Sequence, residues 1–247
     1  MGDSRLTTIQ LDRALRLVLR ADGFEFDEGD DWNDGEEIGL EAFRKELSAC
    51  STALELHCVA ANLNWDLGYG GLRAVIGHPL CDRGTALLLY WLGAPTYVPE
   101  DPESDWNGEP REFLDGVASR YMGGGFPSSV IRTDPANFFG EDYRFKGEGT
   151  VPAEMMEPSP GSSADDLMVY LRLYAALAWF DAGAFGPSEL AACEVCLRPG
   201  IVFGPERGRT MRELLRRVRT TDGSPASVKA LRAFLVEALT GSPTDRP

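Results

Sequence analysis

The sequence predicts a mainly α protein, a multi-helix globular chain with at most a few short strands around residues 127–150. Nearly every apolar pattern repeats at about 3.6 residues, which is the spacing of one helix face. The 247 residues are 43% hydrophobic and 26% charged, which allows a sizeable buried core. The longest apolar runs fall far short of the roughly 20 residues that a membrane span needs, and the start lacks a secretory signal pattern. We therefore expect a soluble, cytoplasmic protein.

The first helix is predicted over residues 7–22, because Leu11 and Leu15 recur at helical spacing, threonines stand at its start and Gly23 follows its end. The same periodicity, broken at Gly or Pro, predicts the helices that follow. They cover residues 38–49, 51–61, 71–77, 84–92 and 109–121, then a helix to about Ala182, then 187–197, 208–220 and a last helix that begins at Ser224-Pro225.

Residues 25–37 carry eight acidic side chains, and we expect a loop because like charges repel and little of the segment is apolar. The whole chain has a net charge of −15 and a pI near 4.6. This charge disfavours nucleic acid and anionic membranes as ligands and suits a basic protein partner. The loop is the predicted docking surface, although a solvated loop without a partner explains the same composition. The predicted contact residues are Asp30, Asp31, Trp32, Asp34 and Glu36.

The most specific pattern lies between Asn64 and Trp91, where two polar turns each precede a helix. An aspartate immediately before a helix is typical of an N-cap, whose carboxylate accepts hydrogen bonds from the first turn. The tryptophans are expected to pack in the core, and the cysteine to act as a small buried thiol. The predicted structural residues are Trp65, Asp66, Cys81, Asp82, Thr85 and Trp91.

No residue is predicted to be catalytic, and no cofactor is expected. The tidiest metal site would be a zinc ion held by His78, Cys81, Cys193 and Cys196. The last two cysteines lie inside an apolar helical pattern far along the chain, so a metal is not predicted. A thiol nucleophile at Cys81 with His78 as its base lacks an evident orienting group and oxyanion hole. The odd number of cysteines, five, argues against a disulfide framework.

Composition divides the chain into three parts. Residues 1–151 form a predicted helical domain, and residues 152–163 read as a linker because they are rich in Pro, Ser and Gly. Residues 164–242 form a helical segment that either packs on the first part or makes a small second domain.

Residues 207–219 hold six arginines, of which Arg209, Arg212 and Arg216 share one face of the predicted helix. Contact with nucleic acid would explain this face, but pairing with the acidic excess of the chain is the favoured interpretation.

The pattern between Asn64 and Trp91 resembles a bacterial family of domains of unknown function, family 4274. The resemblance covers roughly residues 50–150, and Leu67 departs from it because an acid often stands before the glycine there. The matching residues are Asn64-Trp65-Asp66, Gly68, His78-Pro79-Leu80-Cys81, Asp82, Gly84-Thr85-Ala86-Leu87, Trp91 and Glu112-Phe113-Leu114.

The resemblance implies no established activity. Members are similar to small proteins encoded near contact-dependent toxins, which implies an immunity role. We therefore expect a non-enzymatic binding protein that neutralises a cognate toxin, such as a basic toxin domain, by occluding its active surface with an acidic face. The alternatives are a metal- or thiol-dependent hydrolase that uses His78 and Cys81, and a helical regulatory interaction module.

Overall fold

The computed structural model describes residues 5–21, 32–63, 68–93, 95, 108–126, 128–136, 150–192 and 205–241. Ten α-helices, one 3-10 turn and two short strands lie in these residues, so the mainly α prediction is confirmed. In chain order they are α1 (Thr8–Ala21), α2 (Trp32–Leu47), α3 (Ala53–Ala60), α4 (Gly70–Gly77), α5 (Arg83–Leu92), α6 (Gly108–Met122), β1 (Ile131–Arg132), the 3-10 turn (Ala153–Met155), β2 (Ser162–Ser163), α7 (Asp165–Asp181), α8 (Pro187–Ala192), α9 (Pro205–Thr220) and α10 (Pro225–Thr240).

Helix α2 corrects the predicted acidic loop over residues 25–37, because it begins at Trp32 and not at residue 38. Acidic side chains near a helix N-terminus interact favourably with the helix dipole, so a run of acids can continue into a helix. The first part of that run, up to Asp31, lies outside the described residues.

The two strands form one parallel pair, in which Ile131 lies beside Ser162 and Arg132 beside Ser163. Strand β1 falls within the range predicted for short strands. Its partner β2 lies further along the chain, in the segment predicted as a linker.

Helix α7 lies at the centre of the described structure, in contact with α1, α3, α8 and α10. Its side chains are buried on nearly all sides, and Tyr170, Leu171, Leu173 and Leu177 are fully covered. A helix that is apolar all round is stable only when other elements surround it. Helices α1, α3 and α10 therefore bury their apolar faces against α7.

The first described residues of the chain contact its last described helix, α10. The backbone N–H of Leu6 donates to the carbonyl oxygen of Leu239 at 3.0 Å, and the Arg5 guanidinium donates to the carbonyl of Ala238. One hydrophobic cluster extends from Leu6 to Leu239. The division into residues 1–151, 152–163 and 164–242 stays a prediction.

Among the described helices, none combines the length and the apolar character that crossing a membrane requires.

Candidate functional site

The turn before α5 is organised by the buried carboxylate of Asp82, which is the N-cap of that helix. Its Oδ1 accepts a hydrogen bond from the backbone N–H of Gly84 at 2.7 Å. Its Oδ2 accepts two more, from the Ser128 hydroxyl and the Val130 N–H, both at 2.8 Å. One side chain thus caps a helix and fixes the backbone that enters β1.

Gly84 allows this backbone to approach α5 closely. A β-carbon at Gly84 would lie 2.2 Å from the carbonyl oxygen of Ile131 and 3.0 Å from the Ser159 hydroxyl. The Thr133 hydroxyl donates to the carbonyl oxygen of Gly84 at 2.8 Å, and the Ser159 hydroxyl donates to that of Ile131 at 3.0 Å. The glycine of the Cys-Asp-x-Gly-Thr pattern is therefore required by packing.

His57 and Thr85 form a buried polar pair between α3 and α5, with 3.0 Å between Nδ1 of the histidine and Oγ1 of the threonine. Burial lowers the pKa of His57 to about 3. Its Nε2 has no hydrogen-bond partner among the described residues. A neutral imidazole can either donate to the Thr85 hydroxyl or accept from it through Nδ1. A neutral, enclosed imidazole of this kind holds two helices together.

The side chains of Cys81 and His78, the residues of the hydrolase alternative, form hydrogen bonds with different partners. Cys81 is fully buried, its thiol donates a weak hydrogen bond to the Asp82 carbonyl oxygen at 3.9 Å, and burial raises the pKa of that thiol to about 12. His78 is half-buried, and its Nδ1 accepts a hydrogen bond from the Leu80 N–H at 3.1 Å. A buried thiol with a raised pKa is a poor nucleophile, because the thiolate is the reactive form.

The zinc set of His78, Cys81, Cys193 and Cys196 is only half described, since the last two cysteines lie outside the described residues. Within the described residues, no three His, Cys, Asp or Glu side chains gather closely enough to hold a metal ion.

Trp91 lies in the last turn of α5 and is buried in the core, where its indole Nε1–H donates to the carbonyl oxygen of Met155 at 2.7 Å. This hydrogen bond joins the 3-10 turn around Met155 to α5. Trp65 and Asp66, which were predicted to anchor and cap the preceding turn, lie outside the described residues.

The predicted docking residues fall around the start of α2. Trp32, Asp34 and Glu36 belong to its first turns, and their side chains are outside the description. Asp30 and Asp31 precede the helix and also lie outside the described residues. Along the backbone, three of the five predicted contact residues therefore share one helix end.

A buried ion pair was missing from the sequence-based prediction. Glu55 on α3 is fully buried and accepts two hydrogen bonds from Arg13 on α1, at 2.6 Å from Nε and 3.0 Å from Nη2. It also accepts from the Ser51 N–H at 2.8 Å, while the Thr52 hydroxyl accepts from the Glu55 N–H. The Ser-Thr-x-x-Glu order at the start of α3 resembles a capping box and could have indicated this glutamate.

The sequence of this region matches one known family. The sequence model of a family described as "Domain of unknown function (DUF4274)" matches residues 51–122. The matched segment begins just before α3 and ends with the last residue of α6, so it contains the buried pair His57–Thr85 and the cap Asp82. The family resemblance is confirmed for these residues, over a shorter range than residues 50–150. No curated protein and no solved structure matched the chain.

Proposed function

We propose that this protein is a non-enzymatic binding protein, most concretely a cytoplasmic immunity protein that neutralises a cognate toxin. One observation carries the proposal. The polar residues of residues 51–122, here called the family segment, form hydrogen bonds that stabilise the fold. Asp82 accepts three hydrogen bonds, His57 pairs with Thr85, and Cys81 is buried with a raised pKa. Groups used in this way are not free to bind or attack a substrate.

The toxin would be neutralised by occlusion, through an acidic face at the start of α2. Charge complementarity with a basic toxin domain would speed association, and the aromatic ring of Trp32 would supply the apolar centre of the contact. The net charge of −15 supports a basic partner over an anionic one. The contact residues in this proposal are Asp30, Asp31, Trp32, Asp34 and Glu36.

The proposal is tested with the product of the gene immediately upstream, co-expressed with this chain and purified through a tag on one of the two. A variant in which Asp30, Asp31, Asp34 and Glu36 are all replaced by Lys should bind this product at least about a hundredfold more weakly than the native chain. The reason is that the charges proposed to contact and attract the basic partner are reversed. Its unfolding midpoint should change little, since none of these acids is expected in the core.

The matched control reverses four exposed acids on other elements, Asp12, Asp115, Glu154 and Glu237. It changes the net charge by the same amount, so it separates a local contact from the general field of the protein. Equal binding by the native chain and the first variant would refute the proposed face. An upstream product that does not bind the native chain would refute the proposed role.

A further inference from the structure

Helix α9 carries a positive stripe on a strongly acidic chain. Six of the 24 Lys and Arg residues of the whole sequence are arginines of this one helix. Met211, Leu215 and Val218 are fully buried, and they seat the helix against its neighbours α8 and α10. The arginines therefore occupy the outer surface.

Four exposed arginines, at helix spacings of three, four and three residues, make up the stripe: Arg209, Arg212, Arg216 and Arg219. At 100° and 1.5 Å per residue they lie within about 80° of the helix circumference and span about 15 Å. Each turn of α9 thus presents one guanidinium on the same side.

Pairing within the chain, the favoured interpretation of these arginines, accounts for only part of the stripe. Glu213 accepts hydrogen bonds from Arg216 at 2.8 and 2.9 Å and from the neighbouring Arg217 at 3.0 Å. In the part of the chain that the structure describes, no carboxylate forms a salt bridge with Arg209, Arg212 or Arg219. Within the described residues, most of the positive charge of the stripe is therefore not neutralised by a carboxylate.

We propose that the stripe on α9 is a docking site for an acidic polypeptide segment of a partner protein. Guanidinium groups bind carboxylates through two parallel hydrogen bonds, and a row of them matches a row of Asp or Glu side chains. This site lies apart from the acidic face of the proposed immunity function and does not depend on it.

A short acidic segment fits this surface better than nucleic acid does. At physiological salt the Debye length is about 8 Å, so a ligand of about the length of the stripe interacts mainly with the arginines. A long duplex extends beyond them into the field of a chain whose net charge is −15, which repels phosphates.

The test measures binding of a fluorescent oligoglutamate peptide, by anisotropy, to the full chain and to the double variant R209E/R219E. The matched control R44E/K45E reverses two exposed cations in the last turn of α2, which forms a different surface. We expect the native chain and the control to bind the peptide, and R209E/R219E to bind at least about tenfold more weakly because two of the four stripe charges are reversed.

A labelled DNA duplex and a labelled single-stranded RNA are titrated in parallel. No measurable binding of oligoglutamate by the native chain, an equal loss in the control variant, or tighter binding of either nucleic acid than of the peptide would each overturn the proposal. Circular dichroism spectra of both variants identical to the native spectrum would assign the loss to the surface and not to unfolding.

Discussion

At the scale of single residues, Gly84 has the most demanding position in the family segment. Two polypeptide segments far apart in sequence, around Ile131 and Ser159, contact the start of α5 at this residue. A side chain at this position would overlap the Ile131 carbonyl oxygen, so the close approach of these segments strongly favours glycine.

Replacing Gly84 with alanine should destabilise the protein by about 3 kcal/mol, because the added methyl group would overlap the Ile131 carbonyl oxygen. Gly116, in the exposed middle of α6, has no atom near its missing side chain and is the control. There alanine should stabilise by about 0.5–1 kcal/mol through its helix propensity. Urea unfolding of the two variants measures both effects, and equal effects would contradict the packing at Gly84.

The lowered pKa of His57 predicts a pH dependence of stability. In the unfolded chain this imidazole takes up a proton below about pH 6.5, whereas in the folded protein it stays neutral down to about pH 3. The free energy of unfolding that His57 contributes is therefore fully present above pH 6.5 and is lost as the pH falls toward 3. Between pH 7 and 5 this loss is about 2 kcal/mol.

Chemical denaturation at pH 7 and pH 5 checks this prediction. The variant His57→Gln should be less stable at pH 7 but should lose about 2 kcal/mol less than the native chain between the two pH values. The half-buried His78 is the matched control, and His78→Gln should keep most of the native slope. The same slope in all three proteins would contradict a neutral, buried His57.

At the scale of secondary-structure elements, helices α1 and α3 are joined by a charged contact inside the core. Glu55 is fully buried and Arg13 is mostly buried, with its side chain 14% exposed. The neighbouring pair between Arg16 and Glu46 is much more open, since the arginine side chain is 54% exposed. The first pair should therefore matter far more for stability.

Replacing Glu55 with glutamine should cost about 3 kcal/mol or more, because the Arg13 guanidinium is left without its counter-charge in a buried position. Glu46→Gln, which breaks the exposed pair with Arg16, should cost about 1 kcal/mol at most. Thermal unfolding followed by calorimetry compares the two variants. Similar costs for both would show that the Arg13–Glu55 contact is not buried in solution.

The local elements were largely predictable because their signals are local. Residues 84–92 were predicted as a helix from apolar spacing and the aspartate before it, and α5 covers Arg83–Leu92. The start of α2 at Trp32 was missed because a run of acids suggests a loop, although acids also favour a helix N-terminus. No sequence pattern predicted that Ser128 and Val130 donate hydrogen bonds to Asp82, because contacts between distant segments leave no local pattern.

At the scale of the whole molecule, the family segment depends on chain beyond its end at residue 122. Asn62 donates to the carbonyl oxygen of Met168 on α7 at 3.1 Å, and Trp91 donates to that of Met155 at 2.7 Å. Asp82 also accepts hydrogen bonds from beyond residue 122, from the Ser128 hydroxyl and the Val130 N–H. Much of what buries the segment therefore comes from later in the sequence.

A fragment of residues 51–122 should accordingly fail to fold alone, because its buried polar groups and apolar faces lose their partners. Far-ultraviolet circular dichroism of the fragment should show little cooperative melting, whereas the full chain should melt in one transition seen alike by dichroism and tryptophan fluorescence. A fragment that melts cooperatively would show that α7 and the segments around Ser128 and Met155 are dispensable.

The family segment stabilises the fold, and we propose that binding occurs on the acidic face at the start of α2. Calorimetric titration of the upstream gene product into two variants distinguishes these two roles. Asp82→Asn, which should cost about 2 kcal/mol of stability because one buried acceptor is lost, should bind like the native chain at a temperature where it is folded. The variant with Lys at Asp30, Asp31, Asp34 and Glu36 should bind at least about a hundredfold more weakly. Loss of binding in folded Asp82→Asn, with native affinity in the charge-reversed variant, would contradict the claim.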